Sequence, residues 1–304
     1  MAEIRVEDLS VTFPTEEGHF QALKGVSLSI SKGERLAIIG ESGCGKSVLG
    51  HSIMRLLDNI SETTGRVFFG NTDIRGLGEK ELIALRGERI ALLPQSPSTS
   101  FNPVLRIGSQ IDEVPVQRGR NKAEVRAEIM SSLRSVGFSD PEGIYRTYPH
   151  RLSGGMCERA LLVMSTVFDP EVIIADEPTK GLDPKNKIEV LRNLYRKTEG
   201  RILIMITHDY NAARMCERLV VMYAGRILED GPSEEVLRNP RHPYTEALWA
   251  SLPDHGMTPI PSPREGVECG TCDFASRCEH YRQGCDGTSM VEVGDRHYVR
   301  CNRA

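Results

Sequence analysis

Residues 35–47 read RLAIIGESGCGKS, and this stretch decides the fold. An apolar, β-branched run ends in glycine, four residues intervene, and Gly45, Lys46 and Ser47 complete the pattern G-x-x-x-x-G-K-[ST]. RLAIIG suits a buried strand, and SVLGHSIMRLL after the loop suits a helix. Between them Gly40, Gly43 and Gly45 let successive backbone N–H groups turn inward at the positive end of the helix dipole. The loop residues Gly40, Ser42, Gly43, Cys44, Gly45, Lys46, Ser47 and Val48 are therefore expected to form a phosphate nest. Lys46 is expected to reach β- and γ-phosphates, and the Ser47 hydroxyl to ligate Mg²⁺. Cys44 occupies a variable position that a small residue fits.

A strand–loop–helix of this kind belongs in an α/β core, and the flanking sequence agrees. Residues 3–9 (EIRVEDL) and 26–30 (VSLSI) alternate apolar and polar, and GRVFFGN at 65–71 is bounded by glycines. These predict an antiparallel sheet at the N-terminal side. The runs 35–39, 89–93, 171–175, 202–206 and 219–223 are buried-strand candidates, mostly separated by helical patterns, which predicts a mainly parallel sheet. From about 96 to 168 the character changes. A loop, SPSTSFNP, leads into helical stretches near 107–118 and 122–136; Asn121 is a candidate N-cap, and Val125, Ile129, Leu133 and Val136 share one face. This reads as a helical subdomain within a nucleotide-binding domain of residues 1–252. The stretch LPDHGMTPIPSPREG then opens a linker and a cysteine-rich C-terminal region, 253–304.

Composition excludes several function classes. The 304 residues carry a net charge of −4, which argues against an electrostatic grip on nucleic acid or anionic lipid. No run approaches the ~18 apolar residues of a membrane span. The N-terminus MAEIRVEDLS lacks a signal-peptide core, so the chain is expected to stay in the cytosol and to meet a membrane only through a partner. Of eight cysteines, Cys269, Cys272, Cys278, Cys285 and Cys301 crowd the tail, which in a cytosolic protein argues for metal before disulfides.

Residues 172–177, VIIADE, form an apolar strand ending in two carboxylates. Such a pair alone is usually a solvated turn; its neighbours in sequence change the reading. LSGGM at 152–156 follows YPHR, GLDP stands at 181–184, ITHD at 206–209, and Gln95 follows the strand RIALLP. In this order of elements the chain resembles the ABC-type ATPases over residues 1 to about 250. The resemblance implies ATP and Mg²⁺ as ligands, with Asp176 and Gln95 joining Ser47 around the metal. It makes Glu177 the general base that polarises the attacking water, and His208 the group that holds the γ-phosphate. Ser153, Gly154 and Gly155 would begin a helix whose N-terminus meets the ATP held by an opposite subunit, and Asp183 would lie at that junction. An aromatic near the N-terminus stacks on adenine in this family; Phe13 is the candidate, with Phe20 second.

The segments QSPSTSFNPVLRIGSQIDE (95–113), YPHRLSGGM and NPRHPYTEALWASLP (239–253) are similar to ATPases of dipeptide, oligopeptide and nickel importers. That implies a second ATPase subunit, identical or paralogous, two membrane permease subunits and an extracytoplasmic binding protein, with the chain at the cytoplasmic face of the membrane. It departs from the family at Cys157-Glu158, at Lys180-Gly181 and at Pro184, none of them a catalytic group. Cys272, Cys278, Cys285 and Cys301 resemble the C-terminal motif of the same ATPases, some of which carry a [4Fe–4S] cluster; a Zn²⁺ site and free thiols or adventitious disulfides are the alternatives, and Cys269 is an additional thiol. Competing readings are a non-transport ABC ATPase and an ATPase regulated through the tail as a metal or redox sensor.

Overall fold

In the computed structural model, which describes residues 3–16, 18–57, 59–253, 256–264, 272–285, 287 and 289–301, the alternating N-terminal stretch is one long strand. The elements follow in chain order. First come β1 (Glu3–Thr15), β2 (Gly18–Ser31), β3 (Arg35–Ile39), α1 (Lys46–Ile53), β4 (Glu62–Phe69) and β5 (Thr72–Asp73). Then come α2 (Glu79–Leu85), β6 (Ile90–Leu93), α3 (Pro97–Ser100), α4 (Ile107–Gln117), α5 (Lys122–Ser135), α6 (Pro141–Arg146), α7 (Gly154–Ser165), β7 (Val172–Asp176), α8 (Pro184–Lys197) and β8 (Ile202–Ile206). The chain closes with α9 (Tyr210–Ala213), β9 (Arg218–Tyr223), β10 (Arg226–Pro232), α10 (Ser233–Arg238), α11 (Pro243–Ala250), β11 (Val291–Gly294) and β12 (His297–Val299).

Two compact units emerge. The first comprises residues 1–76 and 206–304. Its antiparallel sheet runs β2-β1-β4-β5. Ile4, Val6, Leu9 and Val11 of β1 are all buried, yet the alternation skips a position at Asp8, which has φ 49°. The pairing with β2 shifts register between Val6 and Leu9, so a bulge keeps the apolar side chains on one face. In the same unit β3 pairs with β9 in parallel, β9 with β10 antiparallel, and the hairpin β11–β12 continues from β10. The hairpin is not legible as strands in the sequence, since β11 is largely exposed and only three residues of β12 pair.

The second unit comprises residues 77–205. Here β8, β7 and β6 lie side by side, β6 and β7 in parallel. Every residue of β7 and β8 is buried, as the unbroken apolar runs require. Helices α4 to α7 fill the stretch read as a helical subdomain. Asn121 caps α5 by accepting from the N–H groups of Ala123 and Glu124, and Val125, Ile129 and Leu133 form its buried face.

Candidate nucleotide site

Strand β3 delivers Gly40 into the loop with φ 149°. A Cβ at Gly40 would lie 2.1 Å from the Met222 carbonyl oxygen, and one at Gly45 (φ 103°) 2.6 Å from that of Ala22. The backbones of β9 and β2 thus press against the loop, and only glycine fits at these two points. The Cys44 N–H donates to the Glu41 carbonyl at 3.3 Å, and the Gly225 N–H to the Cys44 carbonyl at 3.0 Å. Lys46 is buried, and its Nζ donates to the carbonyls of Gly40 (2.8 Å) and Glu41 (2.9 Å). Helix α1 starts at Lys46 with no acidic residue in its first turn, so no carboxylate there offsets the positive end of its dipole. Burial raises the Cys44 thiol pKa, which makes Cys44 a packed, neutral side chain.

The same unit carries His208 and Phe13. The Thr207 N–H donates to the Ile38 carbonyl at 3.1 Å, which sets the exposed His208 beside the end of β3 where the loop begins. Asp209 then caps α9 through the N–H groups of Asn211 and Ala212. Phe13 and Phe20 are cross-strand partners in β1–β2; Phe13 is half-buried and Phe20 is 55% exposed.

The remaining expected residues lie in the second unit. Asp176, the last residue of β7, is buried. Glu177 follows it with φ 51°, a left-handed conformation that costs a non-glycine residue on the order of 1 kcal/mol. The Lys180 N–H donates to the Glu177 carbonyl at 3.0 Å and helps close this turn. Leu93 of β6 registers with Ala175 of β7, so Gln95 and Asp176 leave neighbouring strands at the same end. Ser153 caps α7, its hydroxyl accepting from the Met156 N–H at 3.4 Å; Ser153 and Gly154 are exposed and Gly155 is buried. A Cβ at Gly155 would lie 2.8 Å from the Asn186 side-chain oxygen. Asn186 in turn donates to Asp183, which caps α8 through the N–H groups of Lys185 and Asn186. The start of the LSGGM helix and the GLDP turn are therefore locked together. These hydrogen bonds hold the Asp183 carboxyl below its usual pKa.

The tail cysteines converge more than their spacing alone shows. Cys272, Cys278, Cys285 and Cys301 line one cavity of about 30 Å³ together with His242, Phe274, His280, Tyr281 and Arg300. Burial raises the thiol pKa of Cys272 and of Cys278. Among the described residues no group of three or more His, Cys, Asp or Glu side chains is arranged to hold a metal ion. Cys269 lies outside the described residues.

Two residues escaped sequence reasoning. Tyr244, in the HPYT segment, is fully buried, and its hydroxyl accepts from the Glu41 N–H at 2.9 Å. Arg277 donates two hydrogen bonds to the Glu41 carboxylate, at 2.9 and 3.0 Å. HPYT is visible as a segment, but nothing in the spacing links position 244 or 277 to position 41.

The profile of the family described as "ABC transporter" matches residues 23–180, and that described as "Oligopeptide/dipeptide transporter, C-terminal region" matches 228–285. The chain is 38% identical to the dipeptide transport ATP-binding protein DppD of Bacillus subtilis, over 98% of this chain and 93% of the relative. It is 40% identical to DppD of Escherichia coli K12 (84% and 79%) and 36% identical to the oligopeptide transport ATP-binding protein OppD of Bacillus subtilis (98% and 87%). Among solved structures, a dimeric post-hydrolysis state of the ATP-binding cassette MJ0796 bound to ADP and Pi matches with a TM-score of 0.67. That match has 27% identity and covers 76% of this chain and 98% of the other. With the strand–loop–helix nest, the LSGGM helix and these similarities in place, the chain belongs to the ABC transporter family of ATP-binding proteins.

Proposed function

We propose that this chain binds and hydrolyses ATP to drive a peptide importer. The observation that carries the reading is the phosphate loop, where glycines crowded by neighbouring backbone precede a buried lysine and an unopposed helix N-terminus. Lys46 and the loop N–H groups bind the phosphates, and Phe13 stacks on the base. Ser47, Gln95 and Asp176 supply the oxygen ligands that suit Mg²⁺, which would neutralise phosphate charge when bound. Glu177 takes the proton of the attacking water, and His208 positions the γ-phosphate. The exposed Ser153 and Gly154 are available to a second subunit, and Asp183, exposed beside them, belongs to the same junction. ATP then joins two such chains, identical or paralogous, and hydrolysis releases them.

A groove of about 700 Å³ in the second unit supports docking on permease subunits. Its lining includes Ile83, Ile111, Val114 and Phe168, with Ile83 and Val114 about half exposed. In the neighbouring 96–113 segment Val104 is 74% exposed. Among the described residues no helix is long and apolar enough to cross a membrane, so attachment at the cytoplasmic face runs through that docking. The DppD and OppD relatives favour peptides over chelated nickel as cargo, with a binding protein delivering them outside. The test is uptake by the chain reconstituted with its permease pair and binding protein. ATP-dependent accumulation of labelled dipeptide, abolished by Val104→Asp, is expected; accumulation of a nickel chelate alone would overturn the cargo reading.

For the tail we propose a [4Fe–4S] cluster held by Cys272, Cys278, Cys285 and Cys301. Four thiols on one cavity wall match the donor set, although their side chains must reorient to close on a metal. The cluster would brace a segment with little core of its own. Iron and acid-labile sulfide in about equal amounts in anaerobically purified protein support this; zinc without sulfide contradicts it.

A further inference from the structure

Glu41, the first variable residue of the phosphate loop, is held at three atoms by three separate segments of the first unit. Its carbonyl accepts from Lys46 Nζ at 2.9 Å and its N–H donates to the Tyr244 hydroxyl at 2.9 Å. Its carboxylate takes both arms of the Arg277 guanidinium, at 2.9 and 3.0 Å. Arg277 comes from the cysteine-rich tail, 236 positions away in sequence. Its side chain is only 15% exposed, and its Nε donates to the Pro261 carbonyl at 2.7 Å.

The segment that presents Arg277 is itself anchored. Phe274 is buried against the rings of Tyr223 and Tyr244, each 5.4 Å away between centroids. Asp273 pairs with Lys24 at 2.5 Å and with Arg226 at 2.8 Å. Lys24 and Arg226 adjoin the backbone that crowds the loop glycines: the Lys24 N–H donates to the Gly225 carbonyl, and the Gly225 N–H to that of Cys44. Tail and loop thus share one set of contacts.

We infer that Arg277 is a positioning residue for nucleotide binding. It neutralises and orients Glu41, so that a loop built to receive a triphosphate presents no free carboxylate. A bidentate guanidinium–carboxylate pair is among the stronger ion pairs, and here the guanidinium is 15% and the carboxylate 33% exposed. Losing the cation leaves a negative charge beside an anion site, where repulsion is felt over several ångströms. Sequence spacing could not reveal this, because the pairing depends on the fold returning the tail to the loop. The inference rests on the phosphate-loop assignment under Proposed function, and the experiment separates the two.

Binding of a fluorescent ATP analogue to the purified full-length chain is measured for Arg277→Ala, Glu41→Gln/Arg277→Ala and Lys46→Ala. Arg277→Ala is expected to weaken binding about tenfold, by a smaller factor as salt is raised. The double variant is expected to regain most of the loss, because removing the carboxylate removes the repulsion; a merely structural defect would not be rescued this way. Binding by Arg277→Ala within twofold of the parent, or a double variant no better than Arg277→Ala, would overturn the inference while Lys46→Ala still fails to bind. If Lys46→Ala binds like the parent, the loop assignment falls and the inference with it. Should Arg277→Ala fold poorly, Arg277→Gln removes the charge while keeping a polar side chain. A severalfold loss of affinity then supports the inference, and unchanged affinity overturns it.

Discussion

Glu158 shows at the scale of one residue how a departure from the family pattern acts. It lies on α7, five residues after the capping Ser153. The side chain is 3% exposed, and its Oε1 has no hydrogen-bond partner among the described residues. Burial pushes its pKa up to about 8. The folded chain therefore holds this proton longer than the unfolded chain, whose carboxyl titrates near 4.5. Stability contributed by the neutral form is complete below pH 4.5 and declines as pH rises to about 8. Glu158→Gln removes that penalty. At pH 8 it is expected to raise stability by a few kcal/mol, several degrees in Tm, with little change at pH 5. Thermal unfolding of both proteins at the two pH values checks this, and an equal shift at both would contradict it. Residue 158 was legible in the sequence as a departure, but its burial was not. Nothing in CER at 157–159 says which side chain faces inward.

At the scale of elements, legibility followed the strength of local signals. The run ILIMI became β8 over the residues expected, because five consecutive apolar residues have no face to turn to water. Asn121 and Asp183 cap α5 and α8 as short polar side chains before helical runs do. β1 runs six residues past the expected end at residue 9, since Phe13 to Thr15 are held by pairing with β2 and not by burial. The hairpin β11–β12 was missed for a related reason. Its place beside β10 depends on distant partners: His297 Nε2 lies 2.8 Å from Glu229, a fully buried carboxylate that also accepts from the N–H groups of Arg241 and His242. His242 then uses Nδ1 to accept from the Tyr244 N–H, and burial lowers its pKa to about 4. Contacts between residues some 70 positions apart leave no periodic trace. Some motif residues behaved differently: Gly40 and Gly45 were legible because their positive φ and the crowding backbone demand glycine at fixed spacing, and Ser153 because a short hydroxyl side chain caps the helix that follows.

For the whole molecule, the residues proposed for the nucleotide site divide between the two compact units. One carries the phosphate loop and His208, and the other carries Gln95, Asp176, Glu177 and the LSGGM helix. Relatives spanning almost the whole chain bear names of peptide transport ATP-binding proteins, and the matched MJ0796 cassette is a dimer bound to ADP and Pi. We propose that Glu177, held in a left-handed turn after β7, activates the water that attacks ATP. The most direct test is the rate of phosphate release from ATP by Glu177→Gln beside the parent protein. The account predicts a fall of at least about 100-fold, the scale of a lost general base, with ATP still bound; release at the parent rate would contradict it.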